Sequence, residues 1–181
     1  MSYEAIIAFA TVGQLIVIVV AALAAFRQIR HMKAANQWAG VMHVIEMYKS
    51  DQFYDALDYV ENELPGKLKD AAYREKLQSE TYSRRELPEL FLCDLQEQIG
   101  SYVRLGFISP DHYFDIVPIG ATIMWRLLKD VVAIQREKFG PTVYENFEYL
   151  VVRMRRYSKE HPQGNYPKGF PRLADELQEP R

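Results

Sequence analysis

Between Glu4 and Arg27 the chain carries no charged residue. Residues 6–26 form a predominantly apolar run of 21 uncharged positions, twelve of them Ile, Val, Leu or Phe. As a helix the run is about 31 Å long, close to the ~30 Å of a bilayer's hydrocarbon core. Each large apolar residue favours insertion by a few tenths of a kcal/mol, about 4 to 7 kcal/mol in total, which outweighs Thr11 and Gln14. A helix buried in a soluble core would show a polar stripe at this length, and none is present. A cleaved secretion signal needs a basic start and a shorter run. The segment Ala22-Leu23-Ala24 resembles a cleavage site, but Met1-Ser2-Tyr3-Glu4 holds no Lys or Arg. The run therefore reads as one transmembrane helix.

Its direction follows from charge. Arg27, Arg30 and Lys33 flank its C-terminal end, and no Lys or Arg flanks the other. Basic residues stay on the cytoplasmic side. The expected arrangement has the N-terminus outside and everything from about residue 34 in the cytoplasm. The single cysteine, Cys93, rules out an intrachain disulfide framework.

The remaining residues are enough for one domain with a real core. The expected organisation is an anchor over 1–33, a helical bundle over 34–160 and a Pro/Gly-rich tail over 161–181. The apolar period resumes directly after the span at Trp38, Val41, Ile45 and Tyr48, with no breaker between. This predicts one continuous helix over 5–48 that couples span and bundle rigidly. Ser50 or Asp51 caps a second helix whose stripe is Phe53, Ala56, Leu57, Val60 and Leu64, ended by Pro65-Gly66. Residues 67–77 read as a short helix.

Ser83 and Glu86 form a capping box for a helix lined by Leu90, Phe91, Leu95, Ile99, Tyr102 and Val103, starting at or after Pro88. Gly106 closes it in a left-handed cap, with Phe107 folding back. Ser109-Pro110-Asp111 opens the next helix, with Ser109 as its cap, proline at the first position and an acid in the first turn, and Pro118 kinks or divides it. Gly140-Pro141 stops it. Thr142 and Glu145 read as a second capping box before a helix lined by Phe147, Leu150, Val151, Met154 and Tyr157. Tyr166 and Phe170 are expected to pin the tail. No alternation of strand type appears, so the fold class is all-α: a single transmembrane helix continuing into a cytoplasmic bundle.

With these helices placed, the chain resembles an uncharacterised family of bacterial single-pass membrane proteins, the domain of unknown function 4760. The resemblance rests on Gly100 with Val103-Arg104, on Gly106-Phe107-Ile108, on Trp125 and Arg136, and on the run Phe147-Glu148-Tyr149-Leu150. It covers most of residues 5–157, implies this architecture and a place in the bacterial inner membrane, and adds no chemistry.

Sites of reaction are sparse. His43/Glu46 and His112/Asp115 have a spacing that shares a helix face, but the order is the reverse of the Glu-x-x-His ligand pattern. Asp94 sits on an apolar helix, where Arg104 or Arg136 is its expected partner and His112 a further candidate for a pocket. Cys93 would need a base such as His112 to act as a nucleophile. No phosphate loop, dinucleotide fingerprint, nucleophile elbow or zinc-protease motif occurs. The expectation is therefore no catalytic residue, no metal and no cofactor.

Interaction surfaces are more evident. Ala10, Gly13, Gln14, Val17, Ala21 and Ala24 share one side of the span. Small residues permit close backbone approach, and an amide in lipid wants a partner. Arg27, Arg30 and Lys33, with Arg153, Arg155, Arg156 and Lys159, are candidates for contact with lipid headgroups. The net charge of −2 gives no basis for bulk nucleic-acid binding. Twelve Tyr and nine Phe suit aromatic packing or a protein-facing surface. The expected partners are membrane lipids and either a membrane protein or a second copy of the chain. The leading function is an accessory subunit or adaptor. A self-associating effector or pore component, and an enzyme with an unrecognised carboxylate or metal site, are the alternatives.

Overall fold

The computed structural model describes residues 2–79, 86–117, 120–167, 169–170 and 172–173. Among them are eight helices and no strand.

Helix α1 spans Tyr3–Tyr48 without interruption. It is the one described helix long and apolar enough to cross a membrane. Its described side chains from Phe9 to Phe26 are all exposed, because nothing among the described residues covers them. Near the other end of the helix the environment inverts. Val41 and Val44 are fully buried, and Ile45 and Tyr48 pack against the core. One helix is thus uncovered along its first half and part of the core at its far end. The expected continuity over 5–48 is what the structure shows. Trp38 is half exposed rather than central to the buried face, and stacks on His112 with ring centroids 5.6 Å apart.

Helix α2 (Asp51–Asn62) starts as expected: the Ser50 hydroxyl accepts from Phe53 N at 3.2 Å, and Phe53, Ala56 and Val60 are buried. Pro65-Gly66 behaves differently from expectation. Rather than ending α2, Pro65 lies in the first turn of a short helix, α3 (Leu64–Lys67). A first turn has no use for the N–H that proline lacks. Helix α4 (Ala71–Leu77) is capped by Asp70, whose Oδ1 accepts from Ala72 N at 2.9 Å. Helix α5 (Pro88–Arg104) begins at Pro88 itself. Ser83 lies outside the described residues, and so does the capping box expected of it.

Gly106 has φ +76, and the N–H groups of Phe107 and Ile108 return to the Tyr102 carbonyl at 3.0 and 3.2 Å. This is the expected left-handed cap. Helices α6 (Pro110–Ile116) and α7 (Gly120–Phe139) lie on either side of residues 118–119, so the stretch is divided in two. Pro118 itself is outside the described residues. Ser109 makes no side-chain cap, contrary to expectation.

Helix α8 (Glu145–Glu160) buries the five residues expected of it, Phe147, Leu150, Val151, Met154 and Tyr157. Its start corrects the second capping box. Thr142 is not the cap; Tyr144 precedes the helix with a left-handed φ of 58 and makes no side-chain cap. The end of the chain is corrected as well. Phe170 is 69% exposed and Tyr166 carries Arg172 over its ring. The tail is held instead by His161 stacked on Tyr157 at 4.3 Å and by a hydrogen bond from Asn165 to the Tyr157 hydroxyl.

Candidate functional site

The core of the bundle is the packing of α5 against α8, and one glycine sets its distance. A Cβ on Gly100 would lie 2.0 Å from the Asn146 carbonyl oxygen. Backbone meets backbone there, which only glycine permits. The approach brings Glu97 to the start of α8, where its two oxygens accept from Phe147 N at 2.8 Å and Asn146 Nδ2 at 2.7 Å. A carboxylate from α5 therefore does the capping expected of Thr142, favoured also by the helix dipole. Arg104 Nε donates to Asn146 Oδ1 at 2.6 Å.

Arg136 holds the turn before α8. Its Nε donates to the Val143 carbonyl at 2.8 Å, and its Nη2 lies 2.8 Å from Glu148 Oε2. Tyr144, in its left-handed conformation, donates its hydroxyl to Asp94 Oδ1 at 3.1 Å. Asp94, Arg104 and His112 thus go to three separate partners: Tyr144, Asn146 and Trp38. The expected pairing of Asp94 with Arg104 or Arg136 gives way to the tyrosine contact.

Two buried polar clusters lie beyond the sequence reading. In the first, Tyr48 and Tyr113 share a hydrogen bond of 2.8 Å, and Gln96 Nε2 donates to the Tyr48 hydroxyl at 3.1 Å. This ties α1 to α5 and α6 through the interior. Burial raises both phenols above their ordinary range, so both remain neutral donors. In the second, the hydroxyls of Tyr59 and Tyr73 lie 2.6 Å apart, and Tyr73 donates to Glu89 Oε1 at 2.6 Å. Glu89 is fully buried, and its Oε2 has no hydrogen-bond partner among the described residues. A sequence signal exists: Glu89 and Gln96 stand seven residues apart, in phase with the buried Val103.

Burial raises the Glu89 carboxyl, against smaller opposing effects from the Tyr73 hydroxyl, its own N–H and Lys76. An acid raised in the folded state stabilises it fully below the unfolded pKa. That contribution is lost as pH rises through the folded pKa. Stability measured from mildly acidic to neutral pH should therefore fall with this group. Glu89→Gln, which keeps an acceptor for Tyr73, should remove that slope. Parallel pH profiles for the two proteins in chemical denaturation would contradict the assignment.

Neither cluster joins a nucleophile to a base. Cys93 is fully buried, and His112 is exposed on α6. Among the described residues no group of three or more His, Cys, Asp or Glu side chains gathers as a metal-ligand set.

The surfaces fare differently. Ala10, Gly13, Gln14, Val17, Ala21 and Ala24 are exposed along α1, and a Cβ on Gly13 would meet nothing within 4 Å. Arg27, Arg30 and Lys33 are exposed just beyond them. The second basic cluster is dispersed around α8. Arg156 pairs with Glu160 at 2.8 Å, Arg155 lines a shallow groove with Arg126 and Lys129, Arg153 is half-buried, and Lys159 is exposed.

The model of an uncharacterised family, Domain of unknown function (DUF4760), matches residues 15–154, from within the apolar half of α1 to the last turns of α8. The chain belongs to the DUF4760 family. No curated protein and no solved structure matches it. It is a membrane-associated, all-helical DUF4760 protein, and membership carries no reaction with it.

Proposed function

We propose that this protein is a membrane-anchored interaction subunit, an accessory component or adaptor of a membrane complex. Residues 1–33 act as the anchor, 34–160 as the bundle and 161–181 as the tail. The bundle faces the cytoplasm from a bacterial inner membrane, the orientation favoured by Arg27, Arg30 and Lys33. The observation that carries the reading is the double character of α1. The helix that offers Gly13 and Gln14 on an uncovered face also supplies Val41 and Val44 to the core. A partner helix against the span thereby acts on the bundle through one rigid element.

The test replaces Gly13 and Gln14 with leucine together. Insertion should be unaffected, because both changes raise apolarity. Association should weaken by about 0.6 to 2 kcal/mol for each of the two positions. The measurements are dimerisation of the isolated span in a membrane reporter and recovery of the native complex in mild detergent. No change in either would reduce the span to an anchor.

A further inference from the structure

A shallow groove of about 280 Å³ lies between α7 and α8. Ile123 and Trp125, both half-buried, line it together with the exposed cations Arg126, Lys129 and Arg155. The volume is below the ~300–1,000 Å³ of ordinary small-molecule sites and suits a single large side chain.

The cations of this groove differ from their neighbours. Arg136 pairs with Glu148 and Arg156 with Glu160, each at 2.8 Å. Arg126, Lys129 and Arg155 make no ion pair or hydrogen bond among the described residues. No Asp or Glu occurs over residues 116–129 or 149–159. Asp130 stands one helical turn from Arg126 without pairing with it. Three unpaired positive charges beside an indole favour an occupant that brings carboxylates and one apolar side chain.

Height above the span favours a protein over a lipid headgroup. At 1.5 Å per residue, Tyr48 stands about 33 Å beyond Phe26. Gln96 bonds Tyr48, the adjacent Glu97 caps Phe147, and Trp125 meets the Phe147 ring. Trp125 therefore lies at about the same height. Arg155, further along α8 from Phe147, is at most about 12 Å nearer the span. With α1 near the membrane normal, the groove stands about 20 to 30 Å out, past the ~5–7 Å headgroup layer.

We propose that this groove docks an acidic segment of the protein partner. One large apolar side chain sits against Ile123 and Trp125, and flanking carboxylates meet Arg126, Lys129 and Arg155. This rests on the interaction-subunit reading and adds a contact on the bundle, separate from the span.

The full chain in phosphatidylcholine nanodiscs tests it with a fluorescent peptide of Glu and Asp around one central Phe. At low salt this peptide should bind at least tenfold tighter than versions with Gln and Asn for the acids or Ser for the Phe. Binding should weaken as salt rises. Arg126→Gln with Arg155→Gln should weaken it about fivefold, the usual worth of two exposed ion pairs. Arg156→Gln with Lys159→Gln makes the same change in net charge outside the groove and should leave binding unaltered. Equal effects of the two pairs, or no preference for the acidic peptide, would overturn the proposal. So would tighter binding of phosphatidylglycerol vesicles or of a single-stranded oligonucleotide through the same two arginines. In cells, a diazirine amino acid in place of Thr122, which also lines the groove, should crosslink to an acidic segment of another protein. That crosslink should be lost with the Arg126/Arg155 pair. A crosslink to a second copy, or to a segment without acids, would overturn the proposal. If Gly13→Leu with Gln14→Leu weakens the native complex while the groove variants change nothing, the proposal fails alone. If neither set has an effect, the interaction-subunit reading fails with it.

Discussion

Replacing Gly100 with alanine is expected to destabilise the bundle by about 3 kcal/mol, the upper end of the usual range for an overpacked core. The added carbon would sit 2.0 Å from the Asn146 oxygen and 2.5 Å from its carbonyl carbon. Neither atom can turn aside as the end of a side chain would. Relief requires α5 and α8 to separate, which would also lengthen the bonds from Glu97 to Phe147 N and Asn146. Denaturant titration in mild detergent measures the effect. A change below about 0.5 kcal/mol, the usual size at an uninvolved surface position, would mean that the helices do not meet here.

Phe147→Ala should cost about 3 to 5 kcal/mol, the range for truncating a buried phenylalanine. Phe147 is fully buried, and its ring meets Trp125 edge-on with centroids 5.1 Å apart. It sits on α8 against both α5 and α7, so the cavity opens where three helices join. Phe147→Leu should cost less, because more of the volume is kept. The same titration compares them. Equal destabilisation by alanine and leucine would show that the aromatic contact, not the filled volume, governs this position.

Much of this architecture is legible in the sequence because its causes are local or periodic. The span is a matter of length and apolarity. The stripes of α2 and α8 are read directly from spacing, and Gly106 from the left-handed turn it permits. The departures have another cause. Thr142 looks like a cap because Glu145 follows at the right distance, but the cap comes from Glu97, 50 residues from Phe147 in sequence. Local spacing carries no trace of that contact. Charge alone pairs Asp94 with Arg104 or Arg136, whereas those two turn elsewhere and the hydroxyl of Tyr144, in a left-handed turn, reaches it. Size and apolarity alone would bury Phe170, a rule with many exceptions at surfaces. Glu89 and Gln96 are within reach, since both interrupt an apolar stripe; what they join is fixed only by the tertiary fold.

If α1 crosses the membrane once and leaves the bundle on the cytoplasmic side, the two ends of the chain lie in different compartments. Cysteines introduced by Ser2→Cys and Ser158→Cys test this directly, treated in intact cells with a membrane-impermeant thiol reagent. Labelling is expected at position 2 in intact cells, and at position 158 only after the cells are permeabilised. The reverse pattern, or equal labelling of both positions in intact cells, would contradict that topology.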